Sequence, residues 1–131
     1  MTQSIGEIAE SLTISVDAVR YYERIGLIQP PHRDSAGRRR YSDDDAGWLQ
    51  FLVRMRATGM PIRLLQTYAT ARTLGDSSIG RRRQILVQHR AEVAARIAEL
   101  TESLAVIDYK IDNYTRIEAD LAATTPKEIS A

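Results

Sequence analysis

Arginine is the residue type with the clearest chemistry in this chain of 131 residues, in which Lys110 is the first lysine. Between Gln29 and Tyr41 there are four arginines and a single acidic residue, Asp34. The four are Arg33, Arg38, Arg39 and Arg40. A guanidinium group is planar and donates two parallel hydrogen bonds, a geometry that fits a phosphate or the edge of guanine. The segment is therefore a candidate contact for nucleic acid, and the alternative is a solvated basic loop.

A second candidate site is centred on Arg20, which follows Asp17 by three residues. Residues three apart share a face of a helix, so a donor fork and an acceptor can act together. Arg20 could donate to guanine O6 and N7, and Asp17 could accept from a cytosine amine. Tyr21 and Tyr22 point about 100° apart on a helix, so one can face outward while the other packs inward. The alternative is an ion pair on a solvated face beside two core tyrosines.

Composition excludes several other kinds of site. The chain has no cysteine, so it can form neither a disulfide nor a thiolate metal site nor a thiol redox sensor. His32 and His89 lie far apart, and acidic residues 43–45 fan around a helix, so we expect no metal and no cofactor. The sequence contains no Gly-rich phosphate loop and no nucleophile with a plausible base. We therefore expect no enzyme activity.

Two features of the chain concern membranes. No apolar run approaches the roughly 18 residues that span a bilayer. The first ten residues lack the basic region and the apolar core of a signal peptide. We therefore expect a cytoplasmic protein without a membrane partner.

Two short helices joined by a turn are predicted within residues 4–25. Apolar residues recur at helical spacing after Ser4, which forms a capping-box pattern with Glu7. Ser15 is the expected N-cap of a second helix that ends at Gly26. This is the pattern of a helix-turn-helix, which turns the N-terminal residues of its second helix toward base edges. Ser15 therefore joins the candidate contacts.

A small β-hairpin, or wing, is predicted within residues 27–41, where two prolines exclude helix and a glycine permits a tight turn. On its returning strand Arg38, Arg39 and Arg40 alternate in direction, so at most two of them can reach the same phosphate backbone. Such contacts would set register without reading sequence. Tyr41 closes the wing and is counted with these contacts.

Two further helices complete a domain predicted to span residues 1–75. Ser42 caps the third helix, whose first turn is acidic. Pro61 lies in the first turn of the fourth helix, where backbone N–H groups and Arg63 could meet a phosphate; the alternative is an ordinary helix start. A polar linker is expected at residues 76–80.

A long helix is predicted from residue 81 to residue 116, a stretch without Gly or Pro. Its apolar residues repeat in a four-three pattern, typical of a coiled coil, although Arg90 weakens the pattern upstream. The repeating residues, which we call the seam, are Leu86, Val93, Ile97, Leu100, Leu104, Ile107, Ile111 and Tyr114. At about 50 Å the helix is too long to fold back over so small a domain, so we expect the seam to meet a second copy. His89 is expected near the weak end of the seam, and residues 117–131 are expected to be a tail, with Pro126 ending any helix.

The order of these motifs resembles that of the MerR family of transcription regulators. The likeness rests on five short segments: Ile5-Gly6-Glu7, Arg20-Tyr21-Tyr22-Glu23, Gly26-Leu27-Ile28 with Pro30, Arg39-Arg40-Tyr41, and Gly59-Met60-Pro61-Ile62. It covers roughly the first 75 residues closely, and the long helix agrees in kind. The run Asp108-Tyr109-Lys110-Ile111 resembles the branch without the usual metal ligands.

The resemblance implies an all-α dominated fold: a winged helix-turn-helix with a small β-hairpin wing, then a long dimerisation helix that forms an antiparallel coiled coil. It implies a homodimer on palindromic, double-stranded promoter DNA whose elements are spaced too far apart. The active regulator would bend and undertwist this DNA, so that RNA polymerase is engaged indirectly, through the DNA. Metal, iron–sulfur and thiol sensing are not implied, because the cysteines are missing.

Two questions stay open at this point. Trp48, Phe51, Tyr68 and Tyr109 could line a pocket for a small organic effector between one subunit's head and its partner's long helix; the alternative is that they form core and seam. A competing function is a coiled-coil adaptor whose basic wing binds nucleic acid or an acidic partner without sequence preference.

Overall fold

The computed structural model describes the backbone of residues 1–129 and the side chains of residues 1–124. The chain divides into two units, Met1–His89 and Arg90–Ala131, which we call the head and the distal segment. Its elements are β1 (Thr2–Gln3), α1 (Ile5–Leu12), α2 (Val16–Arg24), β2 (His32–Arg33), β3 (Arg39–Ser42), α3 (Asp43–Ala57), α4 (Ile62–Arg72), a 3₁₀ turn (Gly75–Ser78) and α5 (Ile79–Ile129).

Helices α1 and α2 form the predicted helix-turn-helix, and each begins at the expected cap. The Ser4 N–H donates to Glu7 Oε1 at 2.8 Å, and the Glu7 N–H donates to Ser4 Oγ at 3.1 Å. Ser15 Oγ accepts from the Ala18 N–H at 3.0 Å. Each bond satisfies an N–H that the first helical turn leaves without a partner. Thr13 turns the chain between the helices with a left-handed φ of 57°.

The predicted wing is present as the antiparallel pair β2–β3, in which His32 lies opposite Arg40. Asp34 stabilises the connecting turn, because its Oδ1 accepts from the N–H groups of Ala36 and Arg38, both at 2.9 Å. These bonds lower the pKa of Asp34, with the Arg38 N–H as the main cause. A third strand, β1, pairs with the other edge of β3. No sequence pattern predicts β1, because two residues are too few to show alternation.

The core of the head lies between the helix-turn-helix, β3 and helices α3 to α5. Seven large side chains are less than 2% exposed: Tyr41, Ile8, Leu49, Leu52, Met60, Leu65 and Val19. Burying one such aliphatic side chain contributes about 1.5–3 kcal/mol, so this cluster is the main stabilising feature of the head.

The region between α4 and α5 differs from the prediction. Pro61 is the N-cap of α4, one position before the first helical residue. Residues 76–80 are not a loose polar linker, since the 3₁₀ turn leads directly into α5 at Ile79. The buried Ser78 explains the order of this segment, because its hydroxyl donates to the Gly75 carbonyl and accepts from Arg82 Nε, both at 2.9 Å.

The first part of α5 belongs to the core of the head. Ile85 is buried there, and Leu86 packs against the same cluster, so the assignment of Leu86 to the seam is corrected. His89 is 6% exposed, and its Nε2 lies 2.7 Å from Thr58 Oγ1. The expectation that His89 is a seam residue was therefore wrong: a hydroxyl partner in the head satisfies the buried ring nitrogen.

The distal segment is helical as far as Ile129, so the tail expected at residues 117–131 is replaced by helix over the part that is described. Ile117 and Leu121 explain the continuation, because they extend the apolar spacing beyond Tyr114. Helix α5 also continues through Pro126, which was expected to end it. Among the described residues, no helix combines the length and apolar character that crossing a bilayer requires.

Candidate nucleic-acid interface

The exposed face of α2 carries an arginine whose guanidinium is accessible. Arg20 Nη1 lies 3.6 Å from Asp17 Oδ1, and their side chains are 52% and 92% exposed. An exposed pair of this kind contributes at most about 1 kcal/mol, so Arg20 can exchange Asp17 for another acceptor at little cost. Tyr21 is 39% exposed, and the Arg24 guanidinium lies 5.5 Å from the centre of its ring. Arg20 and Tyr21 thus form a polar and aromatic surface on one side of the head.

Two tyrosines that the sequence analysis counted as contacts are buried in the core. Tyr22 is 8% exposed and Tyr41 is 1% exposed. Burial raises the pKa of both hydroxyls. The expectation that these rings touch nucleic acid is therefore corrected: the helical rotation that exposes Tyr21 turns Tyr22 inward, and alternation along β3 turns Tyr41 inward. Within the described part of the chain, the Tyr41 hydroxyl has no hydrogen-bond partner.

The tip of the wing presents accessible cations. The Arg38 side chain is 79% exposed, and its Nε lies 3.7 Å from Asp34 Oδ2. Arg33 is also exposed, and its Nη1 donates to the Gly37 carbonyl at 2.6 Å. Arg33 belongs to the basic run but was not among the predicted contacts. Its place in the same basic run as Arg38 is the signal that could have identified it.

The other two wing arginines bind within the head. Arg39 Nε donates to Glu23 Oε2 at 3.0 Å, and Arg39 Nη2 donates to Glu23 Oε1 at 3.4 Å. The hydrogen bond with Glu23 raises the pKa of Arg39. Arg40 donates from Nε to Thr2 Oγ1 and from Nη2 to the Thr2 carbonyl, both at 3.1 Å. These bonds use only part of each guanidinium, which carries five N–H donors, so contact of Arg39 and Arg40 with nucleic acid stays a prediction.

Ser15 and Arg63 lie where helices begin. Ser15 is exposed, but its hydroxyl oxygen serves as the cap of α2. Arg63 is exposed in the first turn of α4, which has no side-chain cap. The N–H groups of that turn and the Arg63 guanidinium are the features of α4 that suit a phosphate.

Three of the four aromatic residues considered for an effector pocket pack together in the head. The Trp48 ring centre lies 5.5 Å from that of Phe51 and 5.9 Å from that of Tyr68. Trp48 Nε1 donates to the Leu27 carbonyl at 2.8 Å. Tyr109 belongs to the distal segment and is 69% exposed. The core alternative is thus supported for the three head residues.

A cavity of about 280 Å³ lies beside Trp48, within the head. Segment 26–29 forms one part of its wall, and Asp44, Trp48 and Arg72 form another, with the Arg72 guanidinium 4.1 Å from the centre of the Trp48 ring. Phe51 and Tyr68 do not line this cavity. Across the described residues, no group of three or more His, Cys, Asp or Glu side chains could hold a metal ion.

Comparisons with known protein families agree with this geometry. Residues 3–72 match the family described as MerR HTH family regulatory protein, and residues 47–109 match the family described as MerR, DNA binding. The chain belongs to the MerR family. The first match covers the helix-turn-helix, the wing and α3 to α4, which are the elements that carry the candidate contacts.

Individual relatives extend the similarity along most of the chain. An uncharacterized HTH-type transcriptional regulator of Haemophilus influenzae is 32% identical over 119 residues, which are 91% of this chain and 88% of that protein. The regulator AdhR of Bacillus subtilis is 37% identical over 87 residues, or 66% of this chain and 62% of AdhR.

Among solved structures, one similar chain is HiNmlR, titled as a MerR family regulator lacking the sensor domain and bound to promoter DNA. Its TM-score is 0.86 at 32% identity, over 91% of this chain and 90% of that one. A MerR family regulator from Listeria monocytogenes has a TM-score of 0.84 at 34% identity, over 98% and 99% of the two chains.

These matches establish the class of the protein. MerR proteins are DNA-binding transcription regulators rather than enzymes, and this chain is one of them. The predicted fold class is confirmed as well: a mostly helical chain with a small winged sheet and a long C-terminal helix.

Proposed function

We propose that this regulator binds a palindromic promoter as a homodimer and controls transcription by distorting the DNA between the promoter elements. The observation that carries the proposal is the accessible Arg20 on the outer face of the second helix of a helix-turn-helix. The promoter complex of the HiNmlR relative supports promoter DNA as the partner. We accordingly expect the protein in the cytoplasm.

The contacts divide into two kinds. We place α2 in the major groove, where Arg20 donates to a guanine and Asp17 and Tyr21 contact neighbouring bases. Arg38 at the wing tip and Arg63 at the start of α4 bind phosphates, which set the register of the head on the duplex. Ser15 contributes by starting α2 at the correct residue.

The second copy is recruited through the distal segment. Six seam residues there are between 54% and 69% exposed: Ile97, Leu100, Leu104, Ile107, Ile111 and Tyr114. Val93 is half-buried. A monomer would leave this stripe in water, whereas an antiparallel coiled coil buries it at roughly 25 cal/mol per Å². A two-fold symmetric dimer then presents two α2 helices to two half-sites.

Control of transcription would follow from the shape of the bound DNA. A dimer that bends and undertwists an over-long spacer brings the two promoter elements into register for RNA polymerase, which then needs no direct contact with the regulator. DNA deformation of this kind costs several kcal/mol, and extra phosphate contacts offset that cost. A small organic molecule held in the dimer would shift the balance between bound states.

A random-site selection with the purified chain tests the proposal. We expect an inverted repeat, bound with an affinity that falls steeply with salt because neutralised phosphates release counterions. Arg20→Ala should weaken binding about 10- to 100-fold, since a bidentate base contact is worth about 1–3 kcal/mol. Arg116→Ala in the distal segment removes the same charge and is the matched control. A selection that returns no motif would instead favour a non-specific coiled-coil adaptor.

A further inference from the structure

An ion pair that the DNA-contact assignments do not use joins the helix-turn-helix to the wing. Glu23 on α2 receives two hydrogen bonds from Arg39 on β3, one to each carboxylate oxygen. The two side chains are only 17% and 26% exposed. Two parallel bonds between a planar fork and a carboxylate fix orientation as well as distance. The pair therefore holds the wing at a set angle to α2.

The position of this pair argues against a purely electrostatic role in DNA binding. Glu23 follows Arg20 by three residues, so both lie on one face of α2. A bare carboxylate beside DNA phosphates would oppose binding. Arg39 cancels that charge while it is itself kept away from phosphate. The pair carries no net charge and so adds no net attraction for DNA. Its contribution to DNA affinity would therefore come from the geometry that it imposes.

The segments on either side of the pair are the ones that meet the duplex. Arg20 lies one helical turn before Glu23 on α2, and Arg38 directly precedes Arg39 on the wing. The first is placed to read bases and the second to bind a phosphate. Strand β3 also packs against α1 and α3, and the pair adds a direct link between β3 and α2 that bears on the distance between these two guanidinium groups.

We propose that Glu23 and Arg39 are positioning residues for DNA binding: they lock the wing to the recognition helix, so that Arg20 and Arg38 engage the duplex together. This inference rests on the proposed function. In this account Arg39 touches no phosphate, although it lies in the most basic segment of the chain.

The experiment uses the full-length chain on the duplex obtained from its own site selection. Glu23→Gln removes a negative charge close to DNA while preserving the shape of the side chain. We expect binding to weaken about tenfold, because an amide has one acceptor oxygen and no charge, so the two-bond contact that orients the wing against α2 is lost. Without a positioning role the same change would strengthen binding, since a repulsive charge is lost and Arg39 is freed for phosphate. The sign of the effect therefore decides between the two readings.

The dependence of affinity on salt gives a second, independent readout. Each lost phosphate contact reduces the slope of log K against log salt by about 0.9. Arg38→Gln, the matched control one residue away, should reduce the slope by about that amount. Arg39→Gln should weaken binding about tenfold with an unchanged slope, because Arg38 still reaches its phosphate in the complex and the loss is the cost of orienting the wing on binding. The double variant Glu23→Gln/Arg39→Gln should bind no worse than either single variant, because the coupling is already lost.

Arg39→Lys is a further variant that tests the inference even if the neutral variants fold poorly. Lysine keeps the charge but cannot form the two-bond fork, so we expect binding several-fold weaker than that of the wild type. Wild-type affinity for Arg39→Lys, tighter binding by Glu23→Gln, or a smaller slope in Arg39→Gln would each overturn the inference. If the wild-type chain selects no duplex, the proposed function fails instead, and the two failures are distinguishable.

Discussion

The head and the distal segment differ in how far their large apolar side chains are buried. In the head, Leu52 and Leu65 are completely buried, whereas in the distal segment Leu100 is 69% exposed and Leu104 is 56% exposed. The head also contains a half-buried ion pair, in which Glu23 of α2 binds Arg39 of β3. The head therefore has a core of its own, whereas the distal segment exposes the apolar seam that we propose a second copy covers.

The largest effect is expected from a charge on the seam. Leu104→Glu places a carboxylate in the proposed interface between two distal segments, where both copies would carry it. We expect dimerisation to weaken by on the order of a thousandfold, and affinity for the full palindrome to fall with it. Sedimentation at micromolar concentration and a gel shift measure the two losses.

The matched control adds the same charge on the opposite side of the helix. Ala95 lies at a position of the four-three repeat that faces away from the seam. Ala95→Glu should leave dimer and DNA affinity within about twofold of the wild type. If both variants stay dimeric, the seam is not the interface.

The next effect is expected in the core of the head. Leu65→Ala removes a side chain that is 0% exposed, and the cavity left behind should lower the free energy of unfolding by about 3 kcal/mol. Leu74→Ala, at a head position that is 65% exposed, should change it by less than about 0.5 kcal/mol. Urea unfolding at matched protein concentration compares them, and equal losses would contradict the division between core and surface.

A smaller change is expected at Tyr41, whose hydroxyl is buried without a partner among the described residues. Tyr41→Phe removes a hydroxyl that is shielded from water and makes no hydrogen bond. The free energy of unfolding should therefore stay the same or rise by up to about 1 kcal/mol. The measurement is thermal unfolding monitored by circular dichroism. A loss of stability above about 1 kcal/mol would show that the hydroxyl is hydrogen-bonded.

The smallest effect is expected in the dependence of stability on acidic pH. The Ser4 N–H bond lowers the pKa of the exposed Glu7 carboxylate below its ordinary value of 4.5. Stability from this group is therefore present above that ordinary pKa and is lost as the pH falls through the lowered value. Glu7→Gln should flatten the curve of stability against pH between about pH 5 and pH 3, as followed by thermal unfolding. An unaltered curve for Glu7→Gln would remove the capping box as a source of acid sensitivity.

Local signals in the sequence were sufficient for much of the fold. Ser4, Ser15 and Ser42 cap α1, α2 and α3 as predicted, because a cap depends on residues within one turn. The wing also followed from local turn chemistry. The strand β1 did not, because its pairing with β3 joins residues about 40 positions apart that form no pattern of their own.

The candidate site was harder to predict for a related reason. Residue type showed that Arg38, Arg39 and Arg40 are cations, but it did not show that Glu23 and Thr2 bind two of them. Those partners come from other elements, and only the tertiary fold brings them near. The same applies to His89, whose partner Thr58 ends a different helix.

The most direct test of the central claim is the affinity of the wild-type chain for its selected palindrome and for the same duplex with one half-site scrambled. Two heads held by one dimer should engage both halves, so scrambling one half should weaken binding by about a hundredfold or more. The complex should contain two chains per duplex. Equal affinity for the two duplexes, or a complex with a single chain, would contradict the account.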